Sequence, residues 1–225
     1  MLERVKCALV LAPHPDDEVL GCGGTMARLI DMGREVHVAV VTSGKPPQYA
    51  EEAVARVRAE AAAAHGRIGV TRTHWLDFPA AELDGVPHAA LNGGIGRLVA
   101  EVAPDTLFLP FVGDIHRDHQ LVFESAMVAA RPRAGAFPRR IYAYETLSET
   151  NWNAPYLTPA FVPNVFVDIA DQLVRKLEAF ALFASQVQAA PSERSIGALR
   201  ALATLRGATA HLVAAEAFVM IREIG

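Results

Sequence analysis

His14 stands between two prolines and is followed by three acids, in the run Pro13-His14-Pro15-Asp16-Asp17-Glu18. A residue that precedes a proline is driven toward extended backbone, so the His14 ring is carried on a stiff loop. Three consecutive carboxylates repel one another unless positive charge lies close by. A helix N-terminus offers about 0.3–1 kcal/mol per acid. A divalent metal offers far more, and would take His14 and one of the acids as ligands. The plainer reading makes Asp16 to Glu18 N-cap and first-turn acids beside a loop histidine, with no metal. A third ligand must come from elsewhere, and the chain has a second cluster of the same chemistry, Asp114-Ile115-His116-Arg117-Asp118-His119. Its two histidines flank Asp118, which is placed to cap a helix. Two histidines, one aspartate and a water make an open zinc sphere of the catalytic kind. The zinc-protease pattern H-E-x-x-H is absent from the sequence.

Each cluster follows an apolar run, 7–12 and 106–111, of the kind a buried parallel strand makes. Both clusters therefore fall at strand C-terminal ends, where open α/β sheets keep their sites. Further strands are expected over 35–42, 73–78, 140–145, 166–169 and 216–224. Helices are expected over 19–32, 51–65, 92–103 and 120–131, from Asp168 to about 188, and from Ser192 onward. This alternation predicts a single-domain Rossmann-like α/β fold across residues 1–225, three layers (α/β/α) around a mostly parallel sheet. Gly21, Gly23 and Gly24 in the first helix call for close backbone approach, here to the sheet. The G-x-G-x-x-G spacing of a dinucleotide turn is missing, because the acids intervene. His37 reads as a core or sheet-face residue, and His74 and His88 as surface residues. Cys7 reads as a buried strand residue and Cys22 as a small filler; two cysteines make no disulfide framework.

Of the 225 residues, 52% are hydrophobic and the net charge is −4. That composition allows a sizeable core and supplies no basic field for nucleic acid or an anionic membrane. No apolar stretch reaches the ~18–20 residues needed to span a bilayer. The N-terminus runs straight into the first strand without a signal-peptide core, so the chain reads as cytoplasmic. A homo-oligomer is compatible with all of this.

The two clusters, with Gly23-Gly24, resemble the PIG-L/LmbE-like family of zinc-dependent N-deacetylases acting on N-acetylglucosaminyl substrates. The likeness continues through Arg140-Ile141 with Tyr144-Glu145, Asn164 to Ile169, Lys176, Ser185-Gln186 and Ala215-Glu216-Ala217-Phe218. The resemblance implies that His14, Asp17 and His119 bind Zn2+, with Fe2+ or another divalent ion able to use the same donors. It implies that Asp16 is the general base toward a zinc-activated water, and that the acetamide of an N-acetylated amino sugar or glycoconjugate yields a free amine and acetate. His116 would stabilise the oxyanion or protonate the departing amine, and Asp118 would hold the other ring nitrogen of His116. Glu18 would hydrogen-bond a ligand or the loop. The alternative is a non-catalytic sugar- or nucleotide-binding domain that keeps the fold.

Substrate contacts are expected from Ser43, in a loop that resembles the family's T-x-G segment, and from Asp114, which would meet a sugar hydroxyl. Relatives often carry an R-x-x-E pair whose arginine points at the substrate. Here Val57 stands at that position, leaving Arg56 or Arg58 to substitute. Ala80 stands where relatives commonly have the aspartate of Pro-Asp-Gly. The segment 146–163 reads as a lid or wall, with Trp152 or Tyr156 placed to stack on a sugar ring or simply to pack.

Overall fold

The structure, a computed structural model, describes residues 1–133 and 135–225. The two apolar runs become β1 (Cys7–Ala12) and β4 (Thr106–Pro110). With β2 (Glu35–Ser43), β3 (Arg72–Pro79), β5 (Arg140–Tyr144), β6 (Val165–Asp168) and β7 (Ala215–Glu223) they form a seven-stranded sheet in the order β3-β2-β1-β4-β5-β7-β6. The first five strands pair in parallel, and β7 lies antiparallel between β5 and β6. The expected mostly parallel, three-layer α/β/α architecture is the one found.

Strand alternation sets the layers. Ala8 and Val10 point into one core with Val36 and Val38, covered by α1 (Asp17–Asp31), α2 (Glu51–Ile68), α5 (Leu173–Ala181) and α6 (Ile196–Thr209). Leu9 and Leu11 point into a second core with Ala39 and Val41, covered by α3 (His88–Val102) and α4 (Arg117–Ala129). Burial on both faces explains why β1 and β4 read as continuous apolar runs rather than alternating ones. The chain leaves β1 toward β2 and β3 on one side and reaches β4 and β5 on the other. The reversal opens a crevice between the C-terminal ends of β1 and β4, the usual ligand position in such sheets.

The start of α1 carries the first cluster, and its glycines let other elements press against it. A Cβ on Gly21 would lie 2.2 Å from the Tyr144 ring, and one on Gly24 would lie 2.7 Å from the Ile169 side chain. Through this gap a buried ion pair enters the helix. Lys176 Nζ donates to Leu20 O (2.8 Å) and to Glu216 (2.5 Å), while Glu216 accepts from the backbone N–H groups of Gly24 (2.8 Å) and Thr25 (2.6 Å). Polar groups of β7 and α5 thus substitute for part of the helix's own ladder and lock α1 onto the sheet.

Several boundaries differ from expectation for local reasons. The second helix passes Gly66 and ends at Ile68, where Gly69 adopts φ 97°. Asp168 accepts from Ala170 N (3.0 Å) in a turn of its own, so α5 starts later, at Leu173. Ser195 rather than Ser192 caps the last helix, accepting from Ala198 N (3.1 Å). Among the described residues, no helix is long and apolar enough to cross a membrane.

Removing one partner of a buried pair strands the other, which typically costs about 3–5 kcal/mol. Lys176→Met is therefore expected to lower unfolding free energy by that order in urea titration. A loss below about 1 kcal/mol would show that the pair does not hold α1.

Candidate metal centre and catalytic crevice

The loop after β1 is pinned to β2 by Thr42, whose N–H and hydroxyl both donate to Pro13 O (3.1 and 2.8 Å). Asp16 then takes φ 104°, a left-handed conformation that costs a non-glycine residue energy and is tolerated best by Asp and Asn. The conformation is held from three sides: Val19 and Leu20 donate to Asp16 O, and Asp16 N donates to Glu18. Its effect is to turn Asp17 inward as the first helical residue.

Asp17 lies at the centre of the cluster. One of its oxygens accepts from His14 N (2.8 Å) and lies 3.3 Å from His14 Nδ1 and 3.2 Å from His119 Nε2. Ligand atoms of His14, Asp17 and His119 all lie within 4.8 Å of one another, close enough for one ion. His119 Nε2 is buried and has no hydrogen-bond partner among the described residues. Its Nδ1 meets Asp114 at 2.8 Å, which orients the ring with Nε2 toward Asp17. A buried, oriented, unpartnered imidazole nitrogen beside a carboxylate and a second imidazole fits a divalent cation. Ligand atoms of a second group, His14, His116 and Asp118, also lie within 4.8 Å of one another, so that His14 is common to both groups.

The charges respond to this crowding. Burial opposes ionising Asp17, yet His119 and His14 hold its carboxyl well below the usual range. Burial also disfavours protonated histidines, but Asp118 and Asp17 lift His14 to about 9, and Asp17 and Asp114 lift His119 to about 10. The field that retains protons on both rings is one a divalent cation would neutralise. Asp16 behaves differently: burial raises it to about 7 against the pull of Arg194, whose guanidinium contacts its carboxylate. Burial and the neighbouring His14 and His119 lower His116 to about 4, keeping it neutral.

His116 is the N-cap of α4: its Nδ1 accepts from Asp118 N at 3.1 Å. This corrects the expectation that Asp118 caps the helix and that its carboxylate holds the His116 ring. Two residues past the N-cap, Asp118 presents its N–H to His116 and turns its side chain away. That carboxylate instead meets His14 Nε2 (3.0 Å) and accepts from Ala81 N (2.7 Å) and Leu83 N (3.3 Å), tying the loop after β3 to His14. Asp114 also differs from expectation. It is fully buried, with one oxygen on His119 and the other accepting from Thr150 Oγ1 (2.7 Å), so it supports His119 and does not face a sugar. Glu18 is buried on His65 Nε2 (2.9 Å) and the Asp16 N–H, the loop role of its two alternatives.

A cavity of about 370 Å³ opens over these residues. His14, Asp16, Asp17 and His116 form its floor; Ser43, Arg56 and Arg58 are among its walls, as are Val57 and Ala80. Arg58 packs over Trp75 (4.5 Å to the ring centre) and donates to Ser43 Oγ (3.2 Å) and to Asp77, while Arg56 is exposed at the rim. Trp152 lies outside the lining; its indole N–H donates to Glu193 (3.1 Å), and the residue is 62% exposed. Tyr156 is fully exposed. The 146–163 segment reaches the cavity through Glu149 instead. Glu149 and Arg194 were not legible as site residues. Arg194 arrives from the loop before α6, where its only sequence signal is a charged pair ahead of a capping serine. His74 is buried against His37, not on the surface, and Cys7 is only partly buried.

A family model described as PIG-L, GlcNAc-PI de-N-acetylase, matches residues 9–130. The diacetylchitobiose deacetylase of Thermococcus kodakarensis is 31% identical over 205 residues, covering 81% of this chain and 70% of that protein. The solved structure of N,N'-diacetylchitobiose deacetylase from Pyrococcus horikoshii with its inhibitor MPG is similar at TM-score 0.79 and 26% identity, over 98% of this chain and 85% of that one. The 4-carboxy-2-hydroxymuconate hydratase from Pseudomonas putida is similar at TM-score 0.77 and 20% identity over 98% of both chains, a likeness of fold alone.

Groups that hold the far nitrogen of a metal-ligating histidine typically carry 10–100-fold in metal affinity. Asp114→Asn should therefore keep the fold by circular dichroism and weaken zinc binding by roughly that factor, whereas His119→Ala should lose the ion. Unchanged affinity in Asp114→Asn would remove Asp114 from the metal centre.

Proposed function

This chain belongs to the PIG-L de-N-acetylase family, and on that premise we propose that it is a metal-dependent N-deacetylase converting an N-acetylglucosamine-type sugar or conjugate to the free amine and acetate. The observation that carries the reading is the convergence of ligand atoms of His14, Asp17 and the buried His119 within 4.8 Å of one another, beneath a cavity that His14 and Asp17 line together with Asp16 and His116. These three residues would hold the ion, with zinc suited to the donor set and Fe2+ able to use it too. When bound, a divalent ion supplies Lewis-acid activation of water and of the amide carbonyl.

The protein's own groups account for the proton traffic. Asp16 is the carboxylate left free of the ligand set, and it takes a proton from the attacking water. Arg194 favours its ionised form, opposing the burial that would leave it protonated. As water oxygen bonds to the acetamide carbon, negative charge builds on the carbonyl oxygen. His116 accepts at Nδ1 from Asp118 N, so its proton sits on Nε2 and is free to donate to that oxygen. A neutral ring of lowered basicity suits this donor role better than delivery of a full proton. The carbon–nitrogen bond then breaks, Asp16 returns its proton to the departing amine, and the acetic acid released loses the second water proton to the amine or to solvent, leaving acetate.

Substrate preference follows from the apolar part of the cavity lining. Val57 and Ala80 present apolar surface at two positions where relatives often carry charged sugar contacts, and Tyr49, Val54 and Trp75 extend it. An apolar substituent on the sugar is desolvated against these side chains, while Ser43, Arg56 and Arg58 remain the polar groups of the same walls.

Two measurements test these statements. Asp16→Asn should retain its metal and fold while kcat falls by roughly 10²–10⁴; near-normal acetate release would move the base role to another group. Hydrophobic N-acetylglucosaminides should exceed free N-acetylglucosamine in kcat/KM by roughly tenfold or more, and Val57→Asp should narrow the gap. Free N-acetylglucosamine as the better substrate would overturn the apolar-wall assignment.

A further inference from the structure

A third group of side chains able to ligate a metal lies at the opposite end of the sheet from the catalytic crevice. Cys7 is the first residue of β1 and Glu35 the first of β2, and the two are directly paired in the parallel register. His37 is two residues past Glu35 on the same face, opposite Leu9. Ligand atoms of Cys7, Glu35 and His37 all lie within 4.8 Å of one another. Behind them, His74 on β3 is 91% buried by its 9% exposure, and its Nε2 lies 3.0 Å from His37 Nδ1 with the rings 5.3 Å apart. A histidine whose ring is held by a buried neighbour resembles an oriented metal ligand. Sulfur, imidazole and carboxylate donors together suit late first-row divalent ions rather than Mg2+ or Ca2+.

We propose that Cys7, Glu35 and His37 form a second transition-metal site, distinct from the catalytic crevice, with His74 orienting the His37 ring. Binding forms three ligand bonds and releases the Cys7 thiol proton to solvent, with water completing the sphere. The Asp105 carboxylate beside Cys7 is engaged by the N–H groups of Lys6 (2.8 Å) and Cys7 (3.2 Å) and is not a ligand. The site would clip β1 to β2 at their N-terminal ends. It does not depend on the deacetylase reading.

Cobalt(II) separates the two centres, because the catalytic donors His14, Asp17 and His119 include no sulfur. The full-length, reduced, metal-stripped protein should bind two Co2+ per chain, one of them with a thiolate-to-cobalt charge-transfer band. Cys7→Ser should abolish the band and reduce the stoichiometry to one, while leaving acetate release unchanged. His119→Ala should keep the band and lose the other ion. His74→Phe should weaken the banded site by roughly 10–100-fold. Glu35→Gln, at an exposed position, gives an independent loss of affinity should Cys7→Ser fold poorly. A single Co2+ per chain without the band, or a band that survives Cys7→Ser, overturns the proposal.

Discussion

Five buried carboxylates in one crevice set the terms for the rest of this structure. Asp16, Asp17, Glu18, Asp114 and Asp118 are each at most 2% exposed. An isolated buried carboxylate is costly enough that it must find charge or hydrogen bonds or else give up its ionisation. Each of the five finds partners on a different element: Arg194 from the loop before α6, His119 from α4, His65 from α2, Thr150 from the segment after β5, and Ala81 and Leu83 from the loop after β3. The crevice is therefore a product of the whole sheet. Neither cluster could hold its acids in place alone.

The crevice also depends on where α1 begins, and that is fixed from behind. Asp16 and Asp17 sit where a strained loop becomes a helix, so a shift of α1 along its axis would move both acids relative to His119. The glycines admit Tyr144 and Ile169 to van der Waals contact, and the Lys176–Glu216 pair takes over backbone groups of Leu20, Gly24 and Thr25. Glycine costs a helix up to about 1 kcal/mol against alanine. Here that cost yields close approach at the helix that carries Asp17. The glycines and the acids thus belong to one device, the first fixing the position at which the second can act.

The fold was legible because periodicity and strand-end chemistry agreed. Two apolar runs, each followed by histidines and aspartates, led to a parallel sheet with its crevice between them, and β1 and β4 are adjacent at that point. That reading reached His14, one of the three acids and a ligand from the second cluster; the choice of Asp17 and His119 came from the family resemblance, and their ligand atoms do lie together with that of His14. Direction of side chains was not legible. Asp114 and Asp118 are both near His116 in the chain, yet one supports His119 and the other His14; the N-cap at His116 turns Asp118 away from the His116 ring. Trp152 carried the right chemistry for sugar stacking but faces Glu193, outside the cavity. Arg194 was invisible for the opposite reason: it lies 178 residues from Asp16, and nothing local marks it.

Arg194 bears on why two adjacent aspartates can have different roles. Asp17 lies between two imidazoles, whose charge favours its ionised form against burial. Asp16 has no such neighbours; burial and the nearby Asp17 and Glu18 carboxylates all push it toward its protonated form. A protonated Asp16 could not accept a proton from water. The guanidinium that opposes this comes from a loop anchored to Ser148 and Gln188. Adjacent residues of identical type are thus separated by their surroundings, one held ionised between two imidazoles and the other raised by burial beside a guanidinium, as the proposed ligand and base roles require. The separation requires the C-terminal third of the chain to be folded against the crevice, which places a condition on the proposed activity that neither histidine cluster reveals.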